Sequence, residues 1–158
     1  MKQLDAIALL KADHKTVKGL FKETEELSDR AKAQLKRLGD QICAELTVHA
    51  QIEEQIFYPA VKERTGRSHK EERDLVLESV EEHALVKHVI KDLQAIGADD
   101  ESYKPKVKVL KEIVEDHVKE EERDLFPGVR EMMSEDELLQ LGERMSQLKE
   151  QLKQQPVA

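Results

Sequence analysis

Apolar residues recur along this chain at steps of three and four, and no period-two alternation lasts long enough to suggest a strand. The pattern predicts helices throughout. Helix A covers about 3 to 27 and ends in the turn around Ser28 and Asp29. Helix B runs from about 30 to 64, with Pro59 bending or ending its last part. Ser68 with Glu71 reads as a capping box that opens helix C, which continues to about Ile96, where Gly97 supplies a stop. The acidic loop ADDES leads to helix D, from about 103 to 126 and a little beyond Pro127. Ser134 with Glu137 makes a second capping box, opening a short helix E to about 152. The expected fold is all-α, an up-down-up-down four-helix bundle over 1–133. Residues 134–152 form a C-terminal helix capping the same domain, and 153–158 a frayed tail.

The inward stripes of these helices are not wholly apolar. Helix A gives Ile7, Leu10, His14, Val17, Phe21, and helix C gives Val76, Val80, His83, Val86, Ile90. Helix B reads Ile42, Leu46, His49, Glu53, Ile56, Ala60, and helix D reads Val107, Leu110, Val114, His117, Glu121, Leu125. Each helix thus carries a histidine at a core position, and helices B and D add a glutamate one turn later. An imidazole or carboxylate among Leu and Ile costs several kcal/mol unless something binds it. Such groups on one level of four helices call for a shared partner.

The chain also repeats itself. HAQIEEQIFYPAVKE at 49–63 and HVKEEERDLFPGVRE at 117–131 share six of fifteen positions, and HKTVKGLFK at 14–22 aligns with HALVKHVIK at 83–91. Two helical hairpins, A–B and C–D, therefore each offer one His and one HxxxE. On an α-helix, residues i and i+4 share a face, so each HxxxE presents a nitrogen and an oxygen to one cavity.

Composition narrows the chemistry. Charged residues make up 38% and aromatics 3%, as expected of water-covered helices packed on each other. A net charge of −8, with Lys and Arg interleaved among Glu, argues against a nucleic-acid surface. No run of eighteen apolar residues suggests a membrane span, and charges at Asp5, Lys11 and Asp13 interrupt any secretory signal, so a cytoplasmic location is expected. Cys43 stands alone and reads as a small, buried helix residue. Four imidazoles and two carboxylates crowd a single tetrahedral zinc but suit two metals. If both glutamates bridge, each metal takes two bridging oxygens and two histidines and keeps open positions. That ligand set suits redox-active iron or manganese.

The pattern His14 … His49-x3-Glu53 … His83 … His117-x3-Glu121, with FYP (57–59) and LFP (125–127) after the two HxxxE copies, resembles the hemerythrin-like, HHE cation-binding, family over about 9 to 133. The resemblance implies a bundle enclosing a non-haem di-iron centre, two iron ions bridged by an oxo or hydroxo group. His14, His49, His83 and His117 would be its terminal ligands, with Glu53 and Glu121 bridging. It also implies action on dioxygen or related small molecules such as peroxide or nitric oxide. The alternative is an iron-handling or regulatory module whose metal is mainly structural, and a sensor of that kind would signal through a separate protein partner. Oxygen-carrying hemerythrins have a fifth histidine one turn after the helix C ligand, where this chain has Lys87. That departure argues against reversible carriage and for redox turnover, sensing or iron handling. His88 lies roughly 140° around the helix from His83 and reads as exposed, as does His69. Glu54 and Glu122 read as surface pairs or supports behind the ligands. Tyr58 can hydrogen-bond a metal-bound group or plug the bundle end, the plug being the preferred reading. Helix E is expected to pack across the bundle as a cap.

Overall fold

The structure is a computed structural model that describes residues 3–155. Its first helix, α1 (Ala6–Glu25), begins where the Asp5 carboxylate accepts the Ala8 N–H at 2.8 Å, so residues 3–5 precede the helix predicted to contain them. Helix B is α2 (Lys32–Ile52), a π-helical turn (Glu53–Phe57) and α3 (Tyr58–Thr65). Helix C is α4 (Lys70–Ala95). Helix D repeats the construction of B, as α5 (Tyr103–Glu120), a π turn (Glu121–Leu125) and α6 (Phe126–Met132). The final helix, α7, spans Glu135–Gln154, so Lys153 and Gln154 of the expected frayed tail are helical; 156–158 lie outside the described residues.

The two π turns were not predicted, and they follow from the repeated prolines. Tyr58 N–H bonds to the Glu53 carbonyl, and Phe126 N–H to the Glu121 carbonyl, each five residues back. Proline has no N–H to donate, and its ring crowds the carbonyl four residues earlier in an α ladder. The widened turn lies just before Pro59 and Pro127, each in the first turn of the helix that follows. One extra residue rotates the downstream face by about 100°. The inward stripe after Glu53 therefore runs through buried Phe57 and Val61, while the predicted Ile56 and Ala60 are only half-buried.

Two helix boundaries also differ from expectation. Ser68 and His69 donate their backbone N–H groups to the Thr65 carbonyl, prolonging the turn at Gly66, whose φ of +50° is the left-handed conformation glycine tolerates. Helix α4 consequently starts one residue too late for Ser68 to cap it; His69 occupies the N-cap, and no side chain caps there. At its other end, Ile96 turns extended and stops the helix without a left-handed glycine. The Ser134–Glu137 capping box forms as expected. On α4, Ser79 rather than Val80 faces inward. At 100° per residue, Val76, His83, Val86, Ile90 and Leu93 centre on a direction that Ser79 matches and Val80 misses by roughly 90°.

The four long segments pack as an up-down-up-down bundle, and α7 lies against α1, α2 and the first π turn. A Cβ on Gly142 would sit 2.5 Å from the Leu4 carbonyl oxygen, so only glycine lets α7 cross the start of α1 this closely. Leu138, Leu141 and Met145 close one apolar core with Ile7, Leu10, Phe57 and Phe126. A second core, containing Phe21, Ile42, Ile90, Tyr103 and Leu110, fills the other end. Between them lies a band of polar side chains. No described helix is long and apolar enough to cross a membrane.

Candidate metal centre

All six residues singled out by the stripes meet in that band. His14, His49, His83 and His117 are 8%, 7%, 4% and 5% exposed, and Glu53 and Glu121 are 0% and 1%. Two groups form, each with its ligand atoms within 4.8 Å of one another: His14, His49 and Glu121, and Glu53, His83 and His117. The glutamates interlock the groups. Glu53 Oε1 lies 3.1 Å from Nε2 of both His49 and His83, and Glu121 Oε1 lies 3.2 Å from Nε2 of both His14 and His117. Each carboxylate oxygen thus stands between imidazoles of different groups.

Behind the imidazoles runs a ring of carboxylates in which each long helix supports the histidine of the next. Asp13 meets His49 Nδ1 at 2.9 Å, and Glu54 meets His83 Nδ1 at 3.1 Å. Glu82 meets His117 Nδ1 at 2.8 Å, and Glu122 meets His14 Nδ1 at 2.7 Å. A carboxylate at Nδ1 takes the ring N–H, fixes the ring's orientation and leaves Nε2 free to donate its lone pair inward. Glu54 and Glu122 therefore back the His83 and His14 rings, and Asp13 and Glu82 do the same for His49 and His117 without having stood out in the sequence. The repeat carried the signal: an acid immediately precedes His14 and His83 alike.

The inward atoms lack partners. Nε2 of His14, His49 and His117, both oxygens of Glu53 and Oε1 of Glu121 are buried without a hydrogen bond. So many orphaned donor atoms converging on one cavity are what a cation site requires. Electrostatics agree. Burial alone would push the His49 imidazolium down, but Glu53, Asp13 and Glu121 outweigh it and hold the group up at about 10. His117 is likewise opposed by burial and raised by Glu121 and Glu53 to about 12. Burial works to raise Glu53, yet the His49 charge and hydrogen bonds hold its carboxyl well below the usual range. Without a metal, protons must neutralise this cluster.

Tyr58 both plugs and binds. It is 2% exposed, and its hydroxyl donates to Glu121 Oε2 at 2.7 Å and lies 3.3 Å from His83 Nε2. Burial, reinforced by the Glu121 and Glu53 charges, pushes its phenol well above the ordinary value, keeping it a donor. Lys87 points away from the centre and bonds Glu54 at 2.8 Å. Lys149 of α7 reaches Asp13 at 2.5 Å, a contact the sequence pattern could not show. His88 is exposed and lies 3.6 Å from Asp92, whereas His69, at the N-cap of α4, is half-buried and not exposed as expected. Cys43 is buried, and burial, with Asp40 nearby, pushes its thiol up to about 11, so it is inert at neutral pH.

A four-helix bundle with two interlocked His/Glu groups on one level defines a cation-binding helical domain. The chain belongs to the hemerythrin HHE cation-binding domain family, whose model matches residues 5–129. It is similar to the crystal structure of an HHE cation-binding-domain protein from Mycobacterium kansasii, with a TM-score of 0.79, 28% identity, and coverage of 95% of this chain and 88% of that one. An uncharacterised Mycobacterium tuberculosis protein is 29% identical over 98% of this chain and 91% of its own length. A Nostoc protein named DNA nickase is 30% identical over 92% of this chain, which spans 39% of that protein's length. An uncharacterised hemerythrin-like protein of Schizosaccharomyces pombe is 26% identical, and the chain spans 65% of it.

Proposed function

We propose that this protein holds two iron ions, His14 and His49 serving one, His83 and His117 the other, with Glu53 and Glu121 bridging. The observation that carries this reading is the position of Glu53 Oε1 and Glu121 Oε1, each within 3.2 Å of imidazoles from both groups and lacking any hydrogen-bond partner. A bound iron pair would supply redox-active Lewis-acid sites for dioxygen or related small molecules such as peroxide or nitric oxide. The chain's own residues set the conditions. Asp13, Glu54, Glu82 and Glu122 hold the four rings in the tautomer that offers Nε2. Tyr58 orients Glu121 and keeps a proton at the edge of the site. On the side away from Tyr58, an apolar cavity of about 30 Å³, walled by Val17, Leu46, Val86 and Val114, adjoins all four imidazoles and has room for a diatomic molecule. Its walls exclude bulk water and favour small neutral ligands.

The test is metal analysis with optical spectra of anaerobic and air-exposed protein, reconstituted with iron. Two ions per chain and an oxygen-dependent spectral change are expected; one ion at saturation overturns the paired site. A second reading, a regulatory or iron-handling module without turnover, is supported by the site's joining all four long helices between two apolar cores. It predicts metal-dependent stability with an air-insensitive spectrum. Dioxygen or another small ligand is the proposed partner in the first case and a separate protein in the second, with a cytoplasmic setting and neither nucleic acid nor membrane in either.

A further inference from the structure

Along the seam between α1 and α5 runs a groove of about 540 Å³, far larger than any diatomic ligand needs. Its floor and walls are apolar, formed by Val17, Phe21, Val114 and Val118. Its rim carries Lys11, Lys15, Lys18 and Lys119, all exposed and none in an ion pair among the described residues. Glu115 and Glu122 also line it, but both are engaged, with Lys111 at 3.6 Å and His14 at 2.7 Å. In a protein of net charge −8, this is a locally basic edge over an apolar floor.

The repeat shows that the helical fold does not require it. At the equivalent α2–α4 seam, Val80 and Ala84 stand where α1 has Lys11 and Lys15, and Gln51 stands where α5 has Lys119. Lys87 alone matches Lys18, and it is tied to Glu54 at 2.8 Å. Free lysines above an apolar trough thus occur on one side of the pseudo-symmetric bundle and are replaced on the other.

We propose that the α1–α5 groove binds an amphipathic organic anion, an aliphatic carboxylate of medium chain length. The alkyl chain lies on Val17, Phe21, Val114 and Val118, and the carboxylate is held by the lysine rim. Charge complementarity selects the anion, and the depth of apolar wall selects a chain over a bare inorganic ion. The occupant covers Val17, Val114 and Val118, which also wall the small cavity beside the imidazoles, so it controls access to that cavity from this side.

Binding does not depend on the metal, so it is tested on metal-free and iron-loaded protein alike. Calorimetry with decanoate should give saturable binding, with decanol and decyltrimethylammonium at least tenfold weaker. Shortening the acid should weaken binding about two- to fourfold per methylene, as expected for partial to full burial of each group. Replacing Lys11, Lys15, Lys18 and Lys119 with Gln should weaken decanoate at least tenfold. The same change at Lys62, Lys70, Lys91 and Lys153, equal in net charge, should alter it less than twofold. Amide shifts on titration should centre on residues 11–21 and 114–122. Val118→Trp, which fills the trough, should abolish binding while leaving the rim intact. Equal affinity for decanol, equal weakening by both lysine sets, or shifts centred elsewhere would each overturn the proposal.

Discussion

The two halves of the centre are built from the same phrase, yet they are not equivalent. On one side Tyr58 places a hydroxyl on Glu121; on the other, its counterpart Phe126 stacks on His14 at 5.9 Å with an interplanar angle of 6° and offers no donor. Glu53 accordingly keeps both oxygens unpartnered, while Glu121 keeps one. The outer shell differs as well: Lys149 clamps Asp13 behind His49, whereas the equivalent acid on helix C, Glu82, has no lysine on it among the described residues. Duplication sets the ligand frame, and single substitutions around it make the two positions chemically distinct.

The largest effect should come from removing what the halves share. Glu53→Ala or Glu121→Ala should reduce metal content from two ions to one or none, whereas His69→Ala and His88→Ala should leave it intact. With the metal goes its stabilisation, about 2.7 kcal/mol at free metal a hundredfold above Kd. For a chain of this length that is a melting shift on the order of 5–10 °C. Elemental analysis with thermal melts measures both. Unchanged metal content in both glutamate variants would remove the bridging roles.

Acid–base behaviour should show the halves acting alike, because His49 and His117 occupy the same place in the repeat. In metal-stripped protein both are raised, to about 10 and about 12, above the ordinary 6.5. A raised imidazolium stabilises the fold fully below pH 6.5 and loses that contribution as pH climbs through the raised values. Glu53, depressed from 4.5, acts in the other direction: its contribution is present above 4.5 and is lost as pH falls through its folded value. The stripped protein should therefore be most stable between these limits and lose at least about 5 °C from pH 6.5 to 9. The loaded protein, holding metal in place of those protons, should stay flat over that range, and metal uptake should release protons. A stripped protein that gains stability across that window would contradict the arrangement.

The next comparison exchanges the two aromatics. Tyr58→Phe leaves Glu121 Oε2 without its donor and should cost about 1 kcal/mol in stripped protein. It should also shift the iron-loaded optical spectrum. Phe126→Tyr places a hydroxyl on the half that has none, beside Glu53, and should cost less or nothing. Identical spectra in Tyr58→Phe and the parent would show that the hydroxyl does not influence the metal pair.

How much of this was legible beforehand depends on the kind of information each feature needs. That these six His and Glu residues share one buried cluster was readable because a histidine or glutamate interrupting an apolar stripe is a local conflict, and the conflict occurs twice. The four helices and the Ser134 cap follow from periodicity and neighbouring residues. What failed was anything that altered the phase. The π turns shifted the stripe past Glu53 from Ile56 to Phe57, and a straight 3.6-residue count has no term for an inserted residue. The Ser68 cap failed because a turn on Thr65 displaced the helix start by one position. Asp13, Glu82 and Lys149 act across helices, and the close approach of α7 to the chain at residues 4–6 depends on Gly142, not on the apolar pattern within α7.

The last comparison separates the two lysines that touch the outer carboxylates. Lys149 is 23% exposed at its side chain and Asp13 only 6%, whereas Lys87 is 54% exposed and Glu54 25%. Water screens the second pair strongly, so Lys87→Met should cost about 0.5 kcal/mol or less. Lys149→Met leaves a nearly buried carboxylate with His49 alone and should cost about 1–2 kcal/mol. Burial works to raise the Asp13 carboxyl, but His49 and Lys149 outweigh it and hold it below its ordinary range. Removing Lys149 should therefore move the onset of acid unfolding to higher pH, while removing Lys87 leaves it in place. Lys149→Arg should restore most of the loss, since it keeps both charge and reach. Chemical denaturation of the three variants at neutral pH, followed by acid titration, measures these differences. Equal costs for Lys149→Met and Lys87→Met would show that α7 covers the bundle without bracing the centre, and that the halves differ at Tyr58 alone.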